Sequence, residues 1–121
     1  SHDDYDLYRR IDPQDAPRHW AAAAWFAWVG PRQRRCLRAD GFVVPERCYG
    51  YYRSLRLDED YLVSLVDALP DGEWELHCHP ALDTDPGLAE YEALCSGRFR
   101  RALEQRGAIL TTYEGLPRSE R

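Results

Sequence analysis

The chain contains no methionine, no lysine and no asparagine, and all sixteen of its basic residues are arginine. That skew points to a GC-rich coding sequence more than to any function. The missing methionine, with an opening that reads Ser-His-Asp-Asp, suggests a removed start or a piece of a longer polypeptide. No secretory leader is signalled, because the first residues are acidic and polar and no apolar run follows a basic start. The longest apolar stretch, residues 20–29, is far too short to span a bilayer. The four cysteines (Cys36, Cys48, Cys78 and Cys95) are widely spaced and form no Cys-x-x-Cys pair. Neither a disulfide scaffold nor a zinc ribbon is therefore indicated, and reduced thiols in a cytoplasmic protein are expected. Positive charge is also in deficit: a net charge of −5 and a pI near 5.3 argue against a nucleic-acid binder that works by phosphate neutralisation.

What is present describes a folded chain. A hydrophobic content of 44% with four Trp and eight Tyr excludes a disordered polymer. At 121 residues the chain is one domain or part of one, large enough to bury roughly 65% of its unfolded surface without staples.

Residues 1–16 carry five Asp and a Pro and are expected to be an irregular opening segment. Asp15 ahead of Ala16-Pro17 marks a helix start, and residues 17–29 have good helix propensity. Gly30-Pro31 should break or kink that helix. A second helical piece over 32–40 would then end at Gly41 as a left-handed cap. Residues 42–45 and 48–52 read as extended, with Gly50 marking a bulge or a close backbone approach. Asp58 is the expected N-cap of a helix whose apolar stripe is Tyr61, Leu62, Leu65, Val66 and Leu69. Short helices are expected over 88–94 and 99–105, the second capped by Ser96 and ended by Gly107, and a final strand over 108–113. Alternation of strand and helix implies βαβ units and a parallel sheet, hence an α/β fold.

The stretch around which the rest is organised is residues 73–80. It reads as a short strand with Trp74, Leu76 and Cys78 on one face and Glu75, His77 and His79 on the other, stopped by Pro80. Histidine at the C-terminal end of a strand is where α/β architectures place their chemistry, so His79 is the first candidate for a working residue. Its alternative role is to bond local backbone. His77 shares that face, but His-x-His alone lacks the third ligand of a stable metal site. Asp83 and Asp85 could supply one or simply solvate their loop. Cys78, on the opposite face, is expected to be packed, and adjacent strand residues diverge too far for a Cys78–His79 nucleophile pair. Tyr49, Tyr51 and Tyr52 are core or interface residues before they are a sugar-stacking cleft. Arg98, Arg100, Arg101 and Arg106 read as a solvated face. Asp3 and Asp4, with no apolar strand to hold them, read as solvent-facing rather than as metal ligands.

Glu75-Leu76-His77-Cys78-His79-Pro80 resembles the Glu-Leu-x-Cys-His-Pro signature of the YdjC-like carbohydrate deacetylases. The flanks resemble the family too: Tyr49-Gly50-Tyr51 and Leu69-Pro70-Asp71-Gly72 before it, then Tyr91-Glu92-Ala93-Leu94-Cys95 and residues 101–107 after it. The likeness covers about residues 36–116. It implies the C-terminal part of an irregular (β/α) barrel that removes acetyl groups from N-acetylated sugars or glycolipids. The complete enzyme would use a divalent metal, Mg or Zn, held by Asp and two His. His79 matches the family's signature histidine and is implied to be a general acid or a substrate-side hydrogen-bonding group. His77 stands where the family pattern is not histidine and receives no role. The family's metal-binding segments have no counterpart here, so this chain alone is expected to hold no metal and to be inactive. The rival reading is a non-catalytic barrel half that associates with a partner chain or, as a homo-oligomer, with itself. Neither nucleic-acid binding nor a membrane span is expected.

Overall fold

The computed structural model describes residues 2–116. Its architecture is a mixed, helix-rich α/β one: α1 (His2–Ile11), α2 (Trp20–Ala39), β1 (Arg47–Tyr49), α3 (Glu59–Ala68), β2 (Trp74–Leu76), α4 (Asp85–Leu94) and α5 (Gly97–Arg106). Short 3-10 turns lie at Ala16–His19, Tyr51–Arg53 and Tyr113–Gly115. The two strands pair in parallel, Arg47 opposite Trp74, Cys48 opposite Glu75 and Tyr49 opposite Leu76. With α3 as the crossover they make the expected βαβ unit.

Local signals account for the second half of the chain. Asp58 caps α3 by accepting from the Tyr61 amide at 2.8 Å, and Tyr61, Leu62, Leu65 and Val66 are all buried. Each such fully buried Leu or Val contributes roughly 1.5–3 kcal/mol relative to exposure. Ser96 caps α5 through the Phe99 amide at 3.1 Å, and Gly107 (φ 69°) takes the left-handed position that ends it. Phe99, Ala102 and Leu103 of α5 close over the core that α3 opens. Arg98 fastens the two helices by bonding Glu59 at 2.8 Å and Asp60 at 2.7 Å. Arg106 does the same at the other end, reaching the Leu69 carbonyl and Asp71; the four arginines of this helix face are exposed as expected, and two of them also tie α5 to its neighbour. Trp74, Leu76 and Cys78 pack against the core, as the alternation along residues 73–80 requires.

Four expectations are corrected. Residues 1–16 are not irregular: the first eleven include α1, whose Leu7 and Tyr8 are buried in the core. Asp4 and Tyr5, Leu7 and Tyr8, then Ile11 form the stripe of an amphipathic helix, disguised because it includes a buried acid, a buried tyrosine and a partly buried one. Asp4, expected to face solvent, is 1% exposed. Gly30-Pro31 does not end the second helix, which runs unbroken from Trp20 to Ala39 with Pro31 inside. The clash that usually forbids helical backbone before proline involves the preceding Cβ, and Gly30 has none; the helix stops at the Gly41 cap instead (φ 86°). The run 108–113 forms no strand. The described residues offer it no ladder partner, and Ile109 and Leu110 are 88% and 80% exposed.

Candidate functional site

The site is assembled where the parallel pair ends. Past β2 the ladder extends by one bond, His77 N–H to the Tyr49 carbonyl at 2.7 Å. There Gly50 (φ 92°) crosses so near the other strand that a Cβ would lie 2.5 Å from the His77 carbonyl oxygen. Only glycine meets both conditions. The bond and the contact fix the direction in which the chain leaves β2, and so where the next imidazole goes.

His79 is exposed at its ring and held at its backbone. Its N–H donates to Glu90 Oε2 at 2.6 Å, while Glu90 Oε1 accepts the Leu57 N–H at 3.3 Å. Glu90 projects from α4 and is 0% exposed, so a buried carboxylate ties two otherwise separate loops together. One of those loops also supplies a side chain. Ser54 Oγ lies 3.1 Å from His79 Nδ1, leaving Nε2 as the ring nitrogen without a hydrogen bond among the described residues. The turn bearing Ser54 is braced by Arg53, which pairs with Asp12 and with Asp58 and lies over the Tyr61 ring at 5.2 Å. Next to Ser54, Leu55 is held at φ 63°, a left-handed conformation that costs a non-glycine residue roughly 1–2 kcal/mol. A strained residue beside a candidate working side chain fits the usual clustering of strain at functional sites.

His77 and His79 do come together. Their rings meet edge to face with centroids 4.6 Å apart, and Tyr51 stands 6.1 Å from His77. No third donor joins them: among the described residues no group of three or more His, Cys, Asp or Glu is arranged to hold a metal ion. Asp83 and Asp85 stay exposed on their own loop and helix start. The residues present therefore do not fit the divalent metal that the family likeness implies, and no chemical step is derived through one. All four cysteines are free. Burial pushes the Cys48 thiol up to about 11 and also raises that of Cys78, which leaves both as poor nucleophiles near neutrality.

The groove in the surface lies elsewhere. It is open, about 410 Å³ in volume, and runs between the C-terminal half of α2 and the strands, lined by Phe26, Leu37, Phe42, Val44, Cys48 and Tyr113, with Arg34 and Glu75 contributing charge. His79 is not among its lining residues, so this sugar-sized cavity and the candidate imidazole occupy different places. Within the groove Tyr113 donates to Glu75 Oε2 at 2.7 Å, and that bond, with partial burial, pushes the phenol up to about 12.

Sequence reasoning reached His79 but not Ser54 or Glu90. Ser54 is a small polar residue in a turn, 25 positions from its partner, and Glu90 reads as an ordinary exposed acid of a helix. Nothing in local patterning marks either.

In comparisons with known proteins, a family model described as YdjC-like protein matches residues 4–105 of the chain. No curated protein and no solved structure matches it.

Proposed function

Because this chain belongs to the YdjC-like family, which is of carbohydrate-deacetylase type, we propose that it is the C-terminal part of a cytoplasmic, metal-dependent enzyme that hydrolyses N-acetyl groups on sugars or glycolipids. In this reading β1 and β2 are neighbouring parallel strands of an irregular (β/α) barrel. The Mg or Zn ion would be held by the family's metal-binding segments, which have no counterpart in this chain, and the chain by itself would be inactive.

The observation that carries the reading is the mounting of His79. An imidazole exchanges protons near neutrality, and this one is clamped at its backbone by Glu90 and oriented at Nδ1 by Ser54. The Ser54 hydroxyl donates to or accepts from Nδ1 according to the tautomer, and in the protonated ring Nε2 is a donor. In the cleavage of an acetamide the departing amine needs a proton. His79 Nε2 is assigned to deliver it, or to hydrogen-bond the substrate as that proton moves. His77 packs edge-on against the ring and receives no proton-transfer role.

Acetate release from N-acetylglucosamine oligomers, measured on the natural gene product that contains this chain, tests the reading. Release that falls at least a hundredfold in His79→Gln, with the fold retained, supports it. Failure to release acetate from any N-acetylated sugar, with Mg or Zn supplied, overturns it.

A second reading is favoured by a separate observation. Ile109 and Leu110 are 88% and 80% exposed, and the sheet has only two strands among the described residues; exposed apolar chain and a short sheet invite a further strand or chain. On this reading the chain is a non-catalytic half-barrel that associates with a partner or with itself. A strictly monomeric sedimentation profile at high concentration counts against self-association.

A further inference from the structure

Charge in this chain is segregated. Residues 16–39 contain five arginines (Arg18, Arg32, Arg34, Arg35 and Arg38) and no acid. The chain as a whole has 16 basic and 21 acidic residues, so everything outside that window carries 11 and 21, a net −10 against +5 within it. The cationic window is almost entirely α2, which at 1.5 Å per residue is a rod of about 30 Å.

The outward side of that rod is not an ordinary solvated face. Trp20, Trp25 and Trp28 are 67%, 59% and 60% exposed. At 100° per residue they fall within one sector of roughly 140°, and Arg32, Arg35 and Arg38 fall in the same sector one to three turns further on. The inward side carries Ala23, which is buried, and Phe26, packed against the core. The exposed aromatics already interact with the cations: the Trp25 and Trp28 rings lie 5.6 Å apart, and the Arg32 guanidinium sits 4.9 Å from the Trp28 centroid.

We propose that the Trp/Arg face of α2 is a docking surface for an anionic lipid bilayer, with the indoles in the headgroup layer and the guanidinium groups on lipid phosphates. The proposal is independent of the role assigned to His79. Indole rings prefer the membrane–water interface, and arginine can bury its stem while its head stays among polar groups. Each arginine near an anionic surface strengthens binding about fivefold. The shape of the surface favours a bilayer over a protein partner. A single convex helix stripe about 30 Å by 10 Å offers roughly 300 Å², well under the ~800 Å² per partner of a stable protein interface. No described helix is long and apolar enough to cross the membrane, so the contact is peripheral.

The test is flotation of the 121-residue chain with vesicles of phosphatidylcholine alone or with 30% phosphatidylglycerol, together with quenching of its tryptophans by brominated acyl chains. Binding to the anionic vesicles that weakens severalfold between 50 and 500 mM salt, with quenching, is expected. Trp25→Ser/Trp28→Ser should lower partitioning at least tenfold, and Arg32→Gln/Arg35→Gln by a comparable factor. Quenching needs no variant, so a misfolded mutant leaves the test intact. Absence of binding to anionic vesicles overturns the proposal. So does equal binding by both double variants, or concentration-dependent dimerisation that hides the tryptophans without lipid and assigns the face to a second copy.

Discussion

Two buried carboxylates stand at the same, C-terminal end of the parallel pair of strands, and they are treated differently. Glu90, from α4, is fully enclosed and both its oxygens accept backbone N–H groups, from His79 and Leu57. Asp4, from α1, is as deeply enclosed, but only Oδ1 has a partner, the Gly50 N–H at 3.4 Å, and Oδ2 has none. Burial pushes its pKa from 3.8 up to about 7. One carboxylate is a clamp with its acceptors used, and the other is a group that the fold prefers to keep protonated. The contrast teaches that burial alone says little about a charged group, because what matters is how many of its lone pairs are met.

The clamp should be broken first, since it carries the largest expected loss of stability. Glu90→Ala leaves the buried Leu57 N–H and the part-buried His79 N–H without their acceptor, at about 1–3 kcal/mol for the buried one and less for the other, plus the emptied volume, so destabilisation of roughly 2–5 kcal/mol is expected in urea denaturation. Glu90→Gln keeps one acceptor and should cost about half as much. Equal, near-zero effects of both would show that the two bonds contribute nothing to stability.

Next in size is the crossing point that both carboxylates flank. Gly50→Ala combines a positive φ with a Cβ pressed against the His77 carbonyl. It should cost at least ~2 kcal/mol and displace the His77 and His79 resonances together in a heteronuclear NMR spectrum.

Asp4 sharpens the comparison through pH. Its folded pKa lies above the unfolded value, so between about pH 4 and pH 7 the folded state holds a proton that the unfolded chain has lost. Its stabilising contribution is complete below pH 3.8, declines by about 1.4 kcal/mol per pH unit as pH rises, and levels off above 7. Asp4→Asn should remove that slope and raise stability at pH 8 by roughly 3–5 kcal/mol while leaving pH 4 nearly unchanged, as read from the pH dependence of the urea midpoint. Asp15 shifts the opposite way. Bonds from Arg56 and from the Tyr8 hydroxyl hold it well below the usual carboxylate range, so its contribution is lost only at lower pH and does not blur the Asp4 window.

The smallest effect is expected at Ser54. Ser54→Ala removes one exposed hydrogen bond and should alter stability by less than ~1 kcal/mol. It should nevertheless redistribute the proton between the two ring nitrogens of His79, visible in imidazole ¹⁵N shifts. Unchanged shifts would show that Ser54 does not orient the ring.

What could be read without coordinates follows from how far each determinant lies from its partner. α3 and α5 were legible because Asp58 and Ser96 cap amides three residues away and their apolar stripes lie within single helices. His79 could be singled out because it precedes Pro80 at the end of a strand-like run and the neighbouring residues resemble a family motif, although the strand itself stops at Leu76. α1 was hidden by composition: the acid at position 4 is in the core, and the phenol of Tyr8 is satisfied by Asp15 at 2.5 Å. The unbroken course of α2 turned on a missing Cβ at Gly30. The segment 108–113 has strand composition, yet a strand exists only where another accepts its ladder. Ser54 and Glu90 could not be found locally, since their meaning lies in a partner brought near by the βαβ crossover.

The register of the parallel pair has a kinetic consequence. Arg47 faces Trp74 across 26 intervening residues, and a parallel ladder gains nothing until the crossover between its strands has collapsed. The helices with their own caps can assemble early, whereas the geometry around His79 arrives only when the last rungs zip. Stopped-flow measurements should accordingly find that Leu65→Ala in α3 slows refolding, whereas Ser54→Ala acts almost wholly on the rate of unfolding.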